Sequence, residues 1–231
     1  MEESLKKFMK EEIVALEGRM TAMFQSCLKE ENEKMKEMLK KQEDIIMKQG
    51  EENRELKIRV NDLEQYSRRS NIQINNIPSS SEESVETIVC EMGQAIGVPI
   101  NFGVDIQAAH RVPTQGSSAK PIIVKFTNRQ LRNRFIVEAK KSKPTCAKLD
   151  CTKNLLFASN TKIYVNDHLS PENKKLLFEA RNCVRNKSAK SAWSKDGKIF
   201  IKRNETAAPV TIRDIQDLQT FQSSFSSTLQ S

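Results

Sequence analysis

Glycine and histidine, from which phosphate-cradling loops and acid–base sites are often built, are scarce in this chain. Its 231 residues include seven glycines and two histidines, and no P-loop, GxSxG, HExxH or dinucleotide-binding glycine motif occurs. Asp167 and His168 are neighbours, but adjacent residues on a strand point to opposite faces, so we do not expect an acid–base pair there. The sequence therefore predicts a protein that is not an enzyme.

Cysteine pairs are also lacking. The five cysteines are scattered, odd in number and never spaced as CxxC. Free thiols in a reducing, intracellular compartment, cytoplasmic or nuclear, are the expectation. Cys146 and Cys151 are half a zinc site at most, because no second pair accompanies them. We expect no metal and no cofactor.

Long apolar runs and helix breakers are absent from the N-terminal third. No stretch of about 18 apolar residues occurs, so no membrane partner is expected, and Met1–Lys10 lacks the apolar core of a secretory signal. The first proline is Pro78, and Gly18 and Gly50 are the only glycines before it. The composition therefore permits one long helix, which Gly50 weakens by about 1 kcal/mol.

A heptad repeat from Leu28 to Leu63 occupies this stretch. A 3.5-residue repeat held this long predicts a coiled coil, which we assign to residues 1–66 with the main seam at 28–63. The seam residues that we expect to form a homo-oligomer interface are Leu28, Met35, Leu39, Ile46, Asn53, Leu56, Val60 and Leu63.

Polar residues in the seam bear on how many helices associate in the coiled coil. Asn32 and Asn53 occupy a positions, and Gln42 and Gln49 occupy d positions; such residues weaken association but fix register. The run from Arg59 to Glu64 places Arg at g and Glu at e around an apolar a/d pair, a pattern that favours a parallel trimer. An ordinary surface ion pair is the alternative, and a dimer stays open.

Charge divides the chain at the end of the seam. Residues 1–66 carry 13 Lys and Arg against 16 Asp and Glu, a net charge of −3, and residues 67–231 carry 25 against 14, a net charge of +11. A basic domain suggests a polyanionic partner, most often nucleic acid, although solubility alone also accounts for surface charge.

After the seam, the hydrophobic period changes from 3.5 to 2. Residues 67–160 read as strand, helix, strand, strand and helix, with Leu155–Phe157 as the candidate closing strand. This order predicts a ferredoxin-like, RNA-recognition-motif-like (RRM-like) domain. Residues 161–218 predict a small α+β domain that begins with a strand at Lys162–Val165, and residues 219–231 predict a disordered tail. The fold class is therefore α+β behind a long coiled coil.

Three basic clusters accompany these elements, and we expect them to follow a phosphate backbone. Gln73, Pro121 and Ile123 stand where an RRM carries base-stacking residues, so binding should depend on the backbone and on salt more than on base identity. The candidate nucleic-acid-binding residues are Arg68, Arg69, His110, Arg111, Arg129, Arg132, Arg134, Lys140, Lys141, Arg181, Arg185, Lys198 and Lys202.

Two family resemblances follow from short motifs. The run LEQYSRRSNIQINNIP at residues 63–78 resembles the coil–domain junction of first-open-reading-frame proteins of LINE-type retrotransposons, of the insect, transposase 22-like type. Other motifs are similar to the baculovirus few-polyhedra (FP) protein family: His110-Arg111, Pro121–Phe126, Ile163–Asn166, Leu169–Pro171 and Trp193–Ile199.

The resemblance implies a coiled-coil oligomer that carries an RRM-like domain and a small FP-type C-terminal domain. Retrotransposon members bind single-stranded RNA or DNA and act as nucleic-acid chaperones. Matching motifs carry the contact role to Arg68, Arg69, His110 and Arg111, and no zinc finger or knuckle is present.

The resulting hypothesis is an oligomeric, RNA-binding, chaperone-like protein of a retrotransposon-type ribonucleoprotein particle. The alternative is a coiled-coil scaffold or adaptor that does not bind nucleic acid directly. RNA versus DNA, dimer versus trimer, the compartment, and service to an element or to a host stay open.

Overall fold

The computed structural model describes residues 1–80, 83–113, 119–152 and 160–226. It is a mixed α+β structure with a long N-terminal helix and two antiparallel sheets. The chain divides into two compact units, Met1–Lys57 and Ile58–Ser231.

The first unit is part of helix α1, Glu2–Ser67, which runs without interruption through Gly18 and Gly50. The helix buries no residue within its own chain. Its apolar seam side chains are 54–67% exposed: Leu28, Met35, Leu39, Ile46, Leu56, Val60 and Leu63. Ion pairs at i,i+3 and i,i+4 spacing, such as Lys34–Glu30 at 2.9 Å, line its surface. The predicted helix is confirmed, and its pairing with other helices stays a prediction.

After the end of α1, the second unit contains a four-stranded antiparallel sheet in the order β2 (Ile106–Arg111), β3 (Ile122–Phe126), β1 (Asn71–Asn75) and β4 (Tyr164–Asp167). Two helices pack on one face of this sheet through a single apolar core that includes Ile72, Val124 and Phe135. The elements are β1 (Asn71–Asn75), α2 (Val85–Ala95), β2 (Ile106–Arg111), β3 (Ile122–Phe126), α3 (Arg129–Ser142) and β4 (Tyr164–Asp167).

Side-chain caps explain where the two helices begin. Ser84 accepts a hydrogen bond from the backbone N–H of Thr87 at 3.2 Å, and Asn128 accepts one from Gln130 at 2.7 Å. At the other end of α3, Lys143 takes a left-handed conformation that terminates the helix.

The fourth strand corrects one sequence assignment. The strand predicted at Lys162–Val165 was given to the C-terminal domain, but β4 pairs with β1, with Ile74 opposite Val165. The reason is packing, since Ile163 and Val165 bury their side chains in the first core. The candidate closing strand Leu155–Phe157 lies outside the described residues.

The C-terminal part of the second unit contains a three-stranded antiparallel sheet in the order β5 (Ser191–Lys195), β6 (Lys198–Lys202) and β7 (Val210–Ile212), covered by two helices. Ser170 caps the first helix, and proline at its first position has no N–H to leave unpaired. The elements are α4 (Pro171–Arg185), β5 (Ser191–Lys195), β6 (Lys198–Lys202), β7 (Val210–Ile212) and α5 (Ile215–Ser226).

The last helix extends beyond the sequence prediction. Residues 219–231 were predicted to be disordered, but α5 continues to Ser226. Phe221 lies one turn after Leu218, and both side chains are buried in the second core, which holds this helix in place. Residues 227–231 lie outside the described ranges.

Candidate nucleic-acid interface

The end of α1 is joined to the start of α4 by amide side chains. Gln65 accepts hydrogen bonds from the backbone N–H of Ser170 at 2.9 Å and from the side chain of Asn173 at 3.2 Å. Asn61 donates to the Asn173 oxygen at 2.8 Å and accepts from the Ser170 hydroxyl at 2.6 Å. These bonds satisfy the buried polar groups at the α4 N-terminus, so they fix the position of this helix against α1.

The β5–β6 turn fits against the same joint. Asp196 and Gly197 both have positive φ, 52° and 80°, as a two-residue type I′ hairpin requires. The Gly197 carbonyl accepts a hydrogen bond from Asn173 at 2.9 Å. A Cβ on Gly197 would lie 2.6 Å from Cγ of Gln65, so a larger residue would have to displace the hydrogen-bonded Gln65 side chain.

His168 lies at this joint as a neutral imidazole. Nη1 of Arg68 lies 2.7 Å from Nε2, and the Asn71 amide lies 3.2 Å from Nδ1. A guanidinium only donates, so Nε2 of the ring accepts the hydrogen bond from Arg68. Burial, and then the charges of Arg68, Lys174 and His110, lower the pKa of His168 from 6.5 to about 4. The ring therefore adds no positive charge at neutral pH.

A cleft opens beside the joint and is the candidate interface. Its volume is about 460 Å³, and it lies between the last turns of α1, the start of α3 and the β5–β6–β7 sheet. Its charged lining consists of four cations and two acids: Arg69, Arg129, Lys198, Arg213, Asp62 and Asp196. The excess of positive charge suits a ligand with several negative groups.

An aromatic ring lies among these cations. Tyr66 lines the cleft and is 60% exposed, and the guanidinium of Arg69 lies 3.7 Å from its ring centroid. This cation–π contact restrains both side chains without neutralising the arginine. The cleft thus offers charge for phosphates and a ring face for a base or sugar.

Three of the predicted residues meet in this cleft: Arg69, Arg129 and Lys198. Others are exposed on surfaces elsewhere in the second unit: His110 on β2, Arg134, Lys140 and Lys141 on α3, and Arg181 and Arg185 on α4. Lys202 donates to the backbone carbonyl of Glu205 at 2.6 Å. The structure therefore gathers only part of the predicted set into one site.

Two predicted contacts are corrected because their side chains are buried and engaged. Arg132 is 3% exposed, pairs with the buried carboxylate of Asp167 and donates to the Asn71 carbonyl. Arg111 pairs with Glu83 and donates to three backbone carbonyls, those of Ile77, Pro78 and Lys120. Both arginines hold the fold together, and neither can reach a phosphate without breaking these bonds.

Arg68 is neither buried like Arg132 nor part of the cleft lining like Arg69. Its Nη2 pairs with Glu64 at 2.6 Å, and its Nη1 contacts His168. Adjacent Arg69 points into the cleft, so the two arginines of the motif have different surroundings.

Sequence reasoning missed Tyr66 and Arg213 as cleft residues. The sequence predicts Tyr66 only as the last residue of the coil, although its place one turn beyond Leu63 is a signal that it lies near the following domain. Arg213 follows β7, a strand that the alternation of the sequence did not reveal. Its guanidinium also lies 3.7 Å from Asp217, which leaves it partly neutralised.

Two absences apply to the part of the chain that the structure describes. No group of three or more His, Cys, Asp or Glu side chains lies together as a metal site would require. Likewise, no helix in the described ranges combines the length and apolar character needed to cross a bilayer.

The fold and the cleft define a mixed α+β protein in which a long N-terminal helix precedes the two sheets and their helices, which we call the head. The head contributes most of the cation-lined cleft. Residues 170–222 match the family model of Baculovirus FP protein domain 2, which supports the FP resemblance for this segment. A solved structure titled as the RRM3 domain of Mip6 is 18% identical, covers 42% of this chain and 91% of its own, and has a TM-score of 0.23. The search of curated proteins finds no match.

Proposed function

We propose that the protein is an oligomeric single-stranded nucleic-acid-binding protein, and that the cleft holds the phosphate backbone. The observation that carries the proposal is the cleft lining, in which four cations outnumber two acids around an exposed tyrosine. Lysine and arginine contacts to phosphates supply sequence-independent affinity, and a ring face tolerates any base.

The proposal includes a more specific fold for the four-stranded sheet and its two helices. A four-stranded antiparallel sheet in the order β2-β3-β1-β4, with both helices on one face, supports a ferredoxin-like, RRM-like domain. The motif resemblance supports a retrotransposon-type, RNA-chaperone role, with RNA as the favoured ligand.

Oligomerisation through the seam is compatible with the joint at the end of α1. Val60 and Leu63 are 64% and 65% exposed, whereas Asn61 and Gln65 bond to α4. At about 100° per residue, the bonded face points roughly opposite to the a/d face. The head thus leaves the last a/d layers free for helices of other copies, and we propose a parallel homo-oligomer with three strands favoured.

The test is a salt titration of oligonucleotide binding by the full chain and by Arg69→Gln/Arg129→Gln. If both arginines contact phosphates, the slope of log K against log salt falls by about 1.4, since a single strand loses about 0.7 per contact. Binding should weaken on every sequence alike.

The matched control is Lys175→Gln/Lys148→Gln, which removes the same charge from exposed residues outside the cleft. If the control loses as much slope as the cleft variant, net charge and not the cleft accounts for binding. If loss in the cleft variant is confined to one sequence, base readout replaces the backbone mechanism.

A second candidate function is a scaffold or adaptor, which the exposed apolar seam of α1 favours. A partner chain with a matching heptad repeat would cover that seam. Pull-down before and after nuclease treatment separates the two functions, because partners bridged by nucleic acid are lost and direct coiled-coil partners stay bound.

A further inference from the structure

The outer face of the β5–β6–β7 sheet carries an aromatic pair. Side chains alternate along a strand, and Ile199, Ile201 and Ile212 point into the core beneath α4 and α5. Phe200 therefore points outward, and its direct partners across the sheet are Trp193 on one side and Thr211 on the other.

The two rings lie nearly parallel. Their centroids are 5.8 Å apart and their planes differ by 17°, and both residues keep part of their surface exposed. Thr211 is small and exposed, so the ring surface is not closed off on its β7 side. The result is a partly exposed apolar surface formed by two nearly parallel rings.

Lysines lie on both sides of the pair. Lys195 and Lys198 are directly opposite each other at one end, and Lys202 is opposite Ser191 at the other. Like charges facing across a sheet destabilise it, and neither Lys195 nor Lys198 has an ion pair among the described residues. The arrangement is unfavourable for the isolated sheet and favourable for a ligand that carries negative charge beside a ring.

The surface of the two rings is continuous with the cleft. Lys198 and Thr211 belong both to the cleft lining and to the outer face of the sheet. A strand whose phosphates lie in the cleft would pass over Phe200 next.

We propose that Trp193 and Phe200 form a stacking platform for the unpaired bases of a single strand, with Lys195, Lys198 and Lys202 contacting the flanking phosphates. This inference rests on the proposed function and adds how bases are held. Every base presents a ring face, so the platform does not select sequence, but it requires bases to be present and unpaired.

A cross-strand aromatic pair also stabilises a hairpin by itself. The experiment must therefore detect base contact and not only loss of stability. The single tryptophan of the chain makes this possible, because its fluorescence reports on Trp193 alone.

The experiment titrates the full chain with three probes: a single-stranded oligonucleotide, an abasic strand of equal length, and inorganic polyphosphate. Tryptophan emission is read beside the anisotropy of a labelled oligonucleotide. The expected result is quenching by the oligonucleotide alone, with the other two probes competing in anisotropy but leaving the emission largely unchanged.

The variant Phe200→Leu extends the test. Stacking on one base is lost, so affinity for the oligonucleotide should fall roughly tenfold while affinity for the abasic strand is nearly unchanged. Phe178→Leu is the matched control, because Phe178 is an exposed phenylalanine on α4 away from the sheet. Thermal melts of both variants report any loss of folding.

The outcomes distinguish the two proposals. Binding by anisotropy with unchanged tryptophan emission overturns the platform and leaves the cleft proposal standing. Absence of binding in anisotropy overturns the proposed function and the platform together. Quenching of the wild-type chain by the oligonucleotide but not by the abasic strand supports the platform even if Phe200→Leu fails to fold.

Discussion

Gly197 shows how one residue is fixed by two constraints at once. Its φ of +80° disfavours any side chain, and a Cβ there would lie 2.6 Å from Gln65. Gly103 has a similar φ of +87°, but nothing lies within 4 Å of its would-be Cβ. Comparing substitutions at the two glycines therefore separates the cost of backbone strain from the cost of steric overlap.

We predict that Gly197→Ala destabilises the fold by about 3 kcal/mol, and Gly103→Ala by about 1 kcal/mol. Urea unfolding of both variants measures the difference. Equal losses would mean that Gln65 moves aside without cost and that the α1–α4 joint is weaker than its hydrogen bonds suggest.

His168 predicts a pH dependence of stability. Its pKa is lowered to about 4 in the folded chain from 6.5, so between these values the unfolded chain binds a proton that the folded chain does not. Stability contributed by the neutral ring is complete above about pH 6.5 and is lost as the pH falls towards 4.

The measurement is urea unfolding of the wild type and of His168→Gln from pH 7.5 to 4.5. Carboxylates titrate in both proteins, so the difference between the two curves isolates the histidine. We expect the wild type to lose more stability than the variant as the pH falls; parallel curves would refute the assignment.

The apolar pattern of helix α3 predicts the helix but does not predict which of its charged side chains is buried. Its apolar periodicity correctly predicts an amphipathic helix, but the sequence also predicts Arg132 as a nucleic-acid contact, which requires an exposed side chain. Arg132 lies on the buried face with Phe135, Ile136 and Ala139, and its charge is balanced by Asp167 from β4. A sequence alone does not reveal a buried charge whose partner is 35 residues away.

We predict that Arg132→Met destabilises the fold by about 3–5 kcal/mol, because Asp167 is left buried and unpaired. Arg134→Met, on the exposed face of the same helix, should change stability by less than about 0.5 kcal/mol. Thermal unfolding compares the two. The double variant Arg132→Met/Asp167→Leu should recover much of the loss, and failure to recover would assign the cost to packing.

Strands and helices that depend on long-range partners were the hardest to predict. Local patterns identify β1, β3, α4 and the β5–β6 hairpin, where alternation, a proline at the first helical position and an Asp-Gly turn are all local signals. The short β7 strand exists because β6 offers it an edge, and α5 is held by Phe221 contacting a distant core. The cleft combines such segments, and only three of the predicted nucleic-acid-binding residues line it: Arg69, Arg129 and Lys198.

At the scale of the whole molecule, self-association is the central prediction. Ile46 is the one apolar layer between the polar seam residues Gln42, Gln49 and Asn53, and its side chain is 67% exposed. We predict a mass of several chains, with three favoured, by analytical ultracentrifugation at micromolar concentration. Ile46→Asp should shift the mass towards one chain.

Met47→Asp is the matched control, since this neighbouring exposed methionine lies off the seam. Loss of linked copies should weaken oligonucleotide binding by roughly 10²–10⁴ through lost avidity. A wild-type mass of one chain, or equal effects of Ile46→Asp and Met47→Asp, would contradict the coiled-coil assignment.

The cleft is assembled from the end of α1, the start of α3 and the β5–β6–β7 sheet, segments that meet only in the folded head. Occupancy and folding are therefore thermodynamically linked. A ligand present at a hundred times its dissociation constant raises the free energy of unfolding by about 2.7 kcal/mol. A bound ligand would thus hold these segments together, and the ligand-free form would be the one most vulnerable to proteolysis.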